Sequence, residues 1–320
     1  RDPLPVAPRG TPAAAARPST LEQLMTGRED SQWVEIEGVV RGMSNAWGHV
    51  FLDIATRGGR FQSIIPEFTN RPLPAQLIDA EVRLQGACGT LFNQRRQLYG
   101  VQLFVPSTAQ IVLVRPAPAD PFSFPAQPIR SLLEFSPRDD PSHRIKVQGT
   151  VTLRRGKQSV FLQDDSGGLF FETESPLPIE AGMQVEVLGF PALGEYTPTL
   201  QNVMVRSPGP GSPPTPVLML AEQALSPNLT NKMFDSVVVR LSARFLEQYE
   251  TADNRVFVFQ EGQYVFNAHL ELAQPKGRPP DLQRNSLVQL TGVCSVQVDE
   301  NRRPRAFRLL LRSPGDIVVL

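Results

Sequence analysis

Residues 160–173 read VFLQDDSGGLFFET. An apolar run leads into Asp-Asp-Ser-Gly-Gly, and a second apolar run leads out. Asp and Ser favour the start of a tight turn, and Gly tolerates the positive φ that such a turn needs. The stretch therefore predicts a β-hairpin. Similar phrases stand at 50–64 (VFLDIATRGGRFQSI) and 256–270 (VFVFQEGQYVFNAHL), which indicates a unit that occurs three times.

The strands around each hairpin repeat as well. One alternating strand precedes each hairpin, and two more follow it after a Pro-rich connection. The first strands span 33–42, 143–153 and 236–245, and the last two span 80–92 and 96–107, 183–193 and 197–208, and 286–298 and 303–314. Five short strands with the longer connection after the third form the strand order of an OB-fold barrel. We therefore predict an all-β protein of three tandem OB-like five-stranded barrels.

Smaller features support this organisation. Gly38 and Gly149 lie in the first strand of copies one and two, where an OB barrel needs a bend; copy three has Leu241 there. A short helix is predicted before each barrel, at 19–26, 128–136 and 217–226, with Ser19 or Thr20 as the cap of the first. The Pro-rich connections between strands three and four predict loop or a single turn.

Pro-rich stretches at 115–128 and 207–216 mark the joints between copies. The predicted domains are a flexible spacer at 1–18 and OB-like domains at 19–115, 116–210 and 211–320. The spacer fits either the remnant of a removed targeting segment or an arbitrary chain boundary.

Composition limits the function classes. The 32 Lys and Arg residues equal the 32 Asp and Glu residues, so the net charge is zero. Proteins that bind nucleic acid usually carry a basic surface, so we expect no nucleic-acid partner. Cys88 and Cys294 hold equivalent positions in copies one and three, which predicts two buried free thiols. Without a G-x-S-x-G, P-loop, HExxH or zinc spacing, we expect no catalytic residue, metal or cofactor.

The whole arrangement resembles one protein family. It has a leading helix, WVEIEGVV (33–40), Asn-Ala-Trp at 45–47, VTLRRGKQSVFLQDDSGGLFFET (151–173) and GVCSVQVDENRRPRAFRLLLRSPGDIVVL (292–320). These stretches resemble the extracytoplasmic sensor region of membrane-bound, often hybrid, two-component histidine kinases. The resemblance covers about residues 19–320 and is most specific in the last thirty.

The resemblance implies a non-enzymatic sensing region, periplasmic or at the cell surface of an inner-membrane protein. It would pass a signal through a following transmembrane helix to a cytoplasmic kinase in a phosphorelay. The implied partners are a small molecule, a glycan or a periplasmic protein, together with the membrane through a segment outside this chain and a second copy in a homodimer. Two alternatives stay open: a tandem-OB protein that binds single-stranded nucleic acid or carbohydrate, and a structural envelope module.

Candidate ligand residues follow from the OB fold, which binds on strands two and three between the loops after strands one and four. In copy one these loops hold Trp47 and then Arg95 and Arg96, with Tyr99 beyond. Flat rings beside arginines suit a sugar or a base, although Trp47 could equally cover the barrel end.

Copy two offers Arg154, Arg155 and Lys157 in the first loop and Tyr196 in the other. These cations fit an anion contact or a solvated hairpin tip. In copy three, Arg302, Arg303 and Arg305 flank an Asp-Glu-Asn turn. His49, His143 and His269 are scattered and fit structural roles, and Asp164 and Asp165 are explained by the turn that they begin.

Overall fold

The computed structural model describes residues 15–66, 75–134, 143–174, 178–226, 234–272 and 277–320. The chain divides into two compact units, Arg1–Ala119 with Ser136–His143 and Asp120–Phe135 with Arg144–Leu320. The first unit holds one β-barrel and the second holds two. We name them barrel one, barrel two and barrel three in chain order. No helix among the described residues is both long enough and apolar enough to cross a membrane.

Barrel one is a closed five-stranded barrel with one short strand added at each side. Its elements are β1 (Arg17–Pro18), α1 (Leu21–Leu24), β2 (Trp33–Ala46), β3 (His49–Thr56), β4 (Gly59–Ile65), β5 (Glu81–Phe92), β6 (Leu98–Phe104) and β7 (Ile111–Arg115). The sheet order is β1-β2-β3-β4-β6-β5-β7, and β2 also pairs with β5 and closes the barrel. Strands β4 and β6 are parallel, whereas β2 and β5 are antiparallel. This is the OB order that the sequence predicts.

Barrel two has the same strand order with a gap in its hydrogen bonding. Its elements are β8 (Ala126–Gln127), a 3-10 helix (Ile129–Glu134), β9 (Ile145–Arg155), β10 (Ser159–Gln163), β11 (Gly168–Glu172), β12 (Met183–Ala192) and β13 (Thr199–Pro210). The order is β11-β10-β9-β12-β13, with β8 beside β9, and in the described chain no ladder joins β11 to β13. The Thr199 hydroxyl bridges this gap by donating to the Phe170 carbonyl oxygen at 2.7 Å.

Barrel three repeats barrel one. Its elements are β14 (Val217–Leu218), α2 (Ala221–Leu225), β15 (Val238–Glu250), β16 (Asn254–Glu261), β17 (Tyr264–Glu271), β18 (Leu287–Val298), β19 (Pro304–Leu311) and β20 (Ile317–Val319). The order is β14-β15-β16-β17-β19-β18-β20, and the β15–β18 pairing closes the barrel. The prediction of an all-β chain with three tandem OB barrels, each preceded by a short helix, is confirmed.

The glycines of the first strands sit where the second strand passes closest. A Cβ on Gly38 would lie 2.6 Å from the Ala55 carbonyl oxygen, and one on Gly149 would lie 2.6 Å from that of Gln163. Any side chain would force the two strands apart at these points. The sequence assigned these glycines to a bend, and the structure adds the close backbone contact that requires them.

The short helices close the barrel cores. Leu21 and Leu24 of α1 belong to the core of barrel one, and the equivalent helices contribute Ile129 and Leu132 to barrel two and Ala221 and Ala224 to barrel three. Thr20, not Ser19, caps α1, because its hydroxyl accepts from the Gln23 amide at 3.3 Å. In barrel two the Asp164 carboxylate accepts from the Ser166 and Gly167 amides of its turn and from the Ile129 amide of the helix.

The structure also bears on the predicted thiols, the spacer and the connections between strands three and four. Cys88 and Cys294 are free and buried, as predicted. Burial raises the pKa of Cys88 to about 11 and raises that of Cys294 well above its ordinary value. The spacer at 1–18 lies mostly outside the described residues, and its last two residues form β1. Of the connections between strands three and four, residues 67–74, 175–177 and 273–276 lie outside the described chain, and Ala75–Leu77 forms a 3-10 turn.

Barrels two and three share an apolar interface within the second unit. Alternation along β10 turns Val160 and Leu162 into the barrel two core, so Phe161 between them points outward. Phe161 packs in a separate apolar cluster to which both barrels contribute. Its members are Leu153, Phe161 and Phe170 from barrel two and Val238, Val293 and Leu310 from barrel three. The strand-two and strand-three face of barrel two, which OB barrels often use for ligands, is thus largely covered by barrel three.

Candidate ligand-binding site

Barrel one presents an apolar row on the same face of its sheet. Val50, Leu52 and Ile54 of β3 lie in the core, so Phe51 points outward. Phe51 lies opposite Ile64 of β4, and Ile64 lies opposite Phe104 of β6. Directly opposed side chains in a sheet stand about 5 Å apart. The three side chains therefore form one continuous row across three strands.

Trp47 extends this row at one end. It occupies the tight turn between β2 and β3 with a positive φ of 51°, and its side chain is 89% exposed. The Trp47 and Phe51 rings meet edge to face with centroids 6.4 Å apart, and the His49 ring meets Phe51 in the same way at 6.5 Å. We call Trp47, His49, Phe51, Ile64 and Phe104 the aromatic face.

The exposure of Trp47 distinguishes between two hypotheses for this residue, a ligand contact and a core residue that covers the barrel end. A tryptophan that covered a barrel end would be buried, whereas this ring is open to solvent on most of its surface. Exposed aromatic rings on a strand surface are the platforms on which OB barrels stack bases or sugars. Phe51, Ile64 and Phe104 were not foreseen, because the sequence does not show which residues of different strands lie opposite each other.

Arg95, Arg96 and Tyr99 lie at the other end of the same strands. Arg95 and Arg96 are exposed in the β5–β6 turn, and Tyr99, 63% exposed, opens β6 while Phe104 ends it. Phe104 lies five residues after Tyr99 along β6, a distance of about 17 Å along the strand. Trp47 and Tyr99 therefore flank the face from opposite ends, and they do not stack on a single ring as the sequence suggested. Arg95 and Arg96 can contact a ligand on this face only if the ligand extends along the strands from the row.

The polar groups beside the apolar row are paired with each other. Gln102 of β6 donates to Gln62 of β4 at 3.0 Å, and Arg60 lies 3.9 Å from the Asp53 carboxylate. Arg41 is buried in this barrel, and burial followed by the charge of Arg60 lowers its pKa to about 10. The face is thus an apolar platform with polar edges.

The candidates of barrel two separate into different roles. Arg154 donates to the Ile179 and Lys157 carbonyl oxygens, and so its guanidinium holds the local backbone. Lys157 is exposed in the β9–β10 turn. Tyr196 is buried in the core cluster of barrel three, where burial raises its pKa. Arg155 faces barrel three, where its guanidinium donates to the Asn254 side-chain oxygen.

The remaining candidates are structural or exposed. Arg302 donates to the Gly194 carbonyl oxygen at 2.9 Å, so this cation joins barrel three to a loop of barrel two. His143 bonds Asp79 at 3.0 Å, and this contact raises the pKa of His143. Within the described residues, no group of three His, Cys, Asp or Glu side chains could hold a metal ion.

Known proteins are only distantly similar to this chain. No protein-family model and no curated protein matches the chain. Among solved structures, the aspartyl-tRNA synthetase of Entamoeba histolytica is similar at 17% identity and a TM-score of 0.28, over 41% of this chain and 27% of its own. A murine DNA-binding protein bound with double-stranded DNA is similar at 8% identity and a TM-score of 0.28, over 55% and 99%. The p202 HIN1 domain in complex with a 12-mer double-stranded DNA has 12% identity and a TM-score of 0.21, over 57% and 98%.

These matches correct one expectation. We expected no nucleic-acid partner because the net charge is zero, and this exclusion is wrong: several similar structures are complexes with double-stranded DNA. The physical reason is that the net charge averages over the whole chain, whereas binding depends on local groups. At these TM-scores the matches carry no argument about the ligand of this protein, which has to come from its own side chains.

Proposed function

We propose that this chain is a non-catalytic binding region whose ligand lies on the aromatic face of barrel one. The observation that carries the proposal is the register of Phe51, Ile64 and Phe104, which forms a row ending at the exposed Trp47. Stacking of a base on such a ring contributes about 1–3 kcal/mol and depends little on sequence. A single-stranded nucleic acid that crosses the strands would place bases on the row, and a strand that also runs along β6 would bring phosphates near Arg95 and Arg96.

Fluorescence anisotropy with a labelled single-stranded oligonucleotide of about 10 nucleotides tests this proposal, since one OB barrel binds about 4–16 nucleotides. Trp47→Ala should weaken binding about tenfold, and Phe104→Ala should weaken it similarly. Phe92→Ala is the matched control, because Phe92 is also exposed in barrel one but lies at the end of β5, away from the face. Affinity should fall as salt rises if phosphates contact the arginines. Equal losses in Phe92→Ala and Trp47→Ala would remove the aromatic face as the site.

A second proposal concerns the setting and rests on the sequence resemblance. The stretch at 292–320, which forms β18, β19 and β20, is the most specific part of the likeness to sensor histidine kinases. In that setting the three barrels are an extracytoplasmic sensing region, and the aromatic face takes a small molecule or a glycan. Sequencing the gene on both sides of this chain tests the setting. A membrane helix and a kinase core after residue 320 are expected, and a stop codon there would reject it.

A further inference from the structure

A second cleft, of about 740 Å³, opens between barrels two and three and is separate from the aromatic face. It lies beside the apolar interface, where the first loops of both barrels meet. We call it the inter-barrel cleft and define it by these lining residues: Arg155, Phe161 and Phe170 from barrel two, and Asn254, Glu271 and Arg308 from barrel three.

The walls of the cleft are held by bonds between the barrels. The Arg155 guanidinium donates to the Asn254 side-chain oxygen, and the Gly156 amide donates to a Glu271 carboxylate oxygen at 3.1 Å. Both bonds join the β9–β10 turn of barrel two to strands of barrel three. The position of Arg155 is therefore fixed before any ligand arrives, which lowers the entropic cost of binding.

Arg308 has a buried hydrogen-bond donor that is not satisfied within the described residues. Its Nε is buried and makes no hydrogen bond in the described structure. A buried donor without a hydrogen bond is rare, and this one is available to donate to a bound ligand. Two carboxylates also line the cleft, but an oxygen of Glu271 already accepts from Gly156, and Asp253 is exposed at the rim.

Neighbouring groups respond to the charges of Arg155 and Arg308. Burial, together with the charges of Arg308 and Arg155, lowers the pKa of His269 on β17 to about 4. Burial also lowers the pKa of Arg155, where Glu271 acts in the opposite direction and Arg308 in the same one. An anion in the cleft would relieve this repulsion.

The rest of the wall is apolar. The Phe161 and Phe170 rings lie 5.1 Å apart between centroids, tilted at 44°, and Leu310 lines the cleft beside them. A fully hydrated inorganic anion would gain nothing from these side chains. Barrel three already buries Phe161, so an anion that carries an apolar group would bury that group against the part of Phe170 that stays exposed.

We propose that the inter-barrel cleft binds a small organic anion, with its carboxylate or phosphate on Arg155 and Arg308 and its apolar part against Phe170. Such a ligand contacts both barrels at once. Its binding therefore favours one arrangement of barrel two against barrel three, by as much as its affinity differs between arrangements. The proposal does not depend on the aromatic face, which lies in the other compact unit.

Isothermal titration calorimetry with phenyl phosphate, benzoate, inorganic phosphate and phenol tests the proposal. Phenyl phosphate or benzoate should bind more tightly than inorganic phosphate, and phenol should not bind. Arg308→Gln should weaken binding about tenfold or more, since a hydrogen bond to a charged group is worth about 1.5–3 kcal/mol. Arg305→Gln is the matched control, because Arg305 is exposed on the same strand β19. Equal losses in both variants, or no binding of any anion, would overturn the proposal.

Proton NMR of His269 supplies an independent readout. The charges of Arg308 and Arg155 act on this imidazole, and Glu271 and Asp253 are the carboxylates that line the cleft. Phenyl phosphate should raise the pKa of His269, because the anion stabilises the imidazolium. Arg308→Gln should also raise it without ligand, and a further rise on adding ligand should be absent. If Arg308→Gln does not fold, Arg155→Gln takes its place. An unchanged His269 pKa at saturating ligand would place the anion elsewhere, whatever the oligonucleotide assay of barrel one shows.

Discussion

The Thr197 hydroxyl of barrel two donates to the Asp235 carboxylate of barrel three at 2.6 Å. The second carboxylate oxygen of Asp235 accepts from the Val296 amide at 2.9 Å. Both Thr197 and Asp235 are buried, so this contact is a buried polar pair at the otherwise apolar interface between barrels two and three, which we call the joint. Burial raises the pKa of Asp235, while the two hydrogen bonds lower it and so limit the rise. The joint between the barrels therefore contains a group whose charge depends on pH.

Asp235→Asn should make the stability of the second unit less dependent on pH. The folded-state pKa of Asp235 is raised, so its stabilising contribution is complete below the unfolded pKa near 3.8 and is lost as pH rises through the folded pKa. The wild type should therefore lose stability relative to Asp235→Asn between about pH 4 and the folded pKa, by at most about 1.4 kcal/mol per pH unit. Chemical denaturation at a series of pH values measures this difference.

Thr197→Val provides the control for that experiment. It removes the hydroxyl that lowers the Asp235 pKa, so the loss of stability should continue to higher pH than in the wild type. Parallel stability curves for the wild type and Asp235→Asn would mean that Asp235 has the same pKa in the folded and unfolded states.

Gly168→Ala should weaken the joint between barrels two and three. A Cβ on Gly168 would lie 2.3 Å from the carbonyl carbon and oxygen of Ser236. Gly168 is held by its pairing with Gln163, and Ser236 is held by its amide, which donates to the Cys294 carbonyl oxygen. Overpacking of this kind costs about 1–3 kcal/mol. Gly167→Ala is the matched control, because the nearest atom to its Cβ would be Ile129 Cγ2 at 3.9 Å. Thermal unfolding should show a lower midpoint for Gly168→Ala alone, and an equal effect at Gly167 would contradict the packing argument.

Asp79→Asn should lower the pKa of His143 toward its ordinary value. The hydrogen bond that the Asp79 carboxylate accepts from the His143 ring is the main cause of the raised pKa, and burial opposes it. The stability that this pair gives is complete below the unfolded pKa near 6.5 and is lost as pH rises through the raised pKa. Since the His143 side chain is 41% exposed, the contribution should be about 1 kcal/mol or less. NMR titration measures the shift, with His269 in the other compact unit as the internal reference.

The sequence predicts the barrels well because period-2 alternation extends over each long strand. The predicted strand at 33–42 becomes Trp33–Ala46, and the predicted strand at 286–298 becomes Leu287–Val298. The two-residue strands β1, β8 and β14 were missed, because two residues carry no periodic pattern. The gap between β11 and β13 was also missed, since strand pairing depends on register rather than on composition.

The sites are predicted less completely. Trp47 and Arg155 are candidates from the sequence because loops after the first strand often carry the binding residues of OB barrels. Arg308 was missed because its neighbourhood with Arg155 exists only once two barrels pack together. One signal for that packing was present: VFL at 160–162 and LFF at 169–171 are apolar on both faces of a hairpin, so the outward face needed a cover. Phe161 and Phe170 are the residues that barrel three covers.

Cys88 and Cys294 should report the unfolding of the two compact units separately. Each unit contains one of these buried thiols, and the high pKa of each disfavours the reactive thiolate. Both should therefore react with a thiol reagent only when their own barrel opens. In Gly168→Ala, whose clash lies in the second unit, Cys294 should react faster than in the wild type while Cys88 keeps its rate. Mass spectrometry of the labelled peptides at low denaturant distinguishes the two sites. Equal acceleration at both cysteines would show that the units unfold together, because the strain of one unit would then be felt in the other.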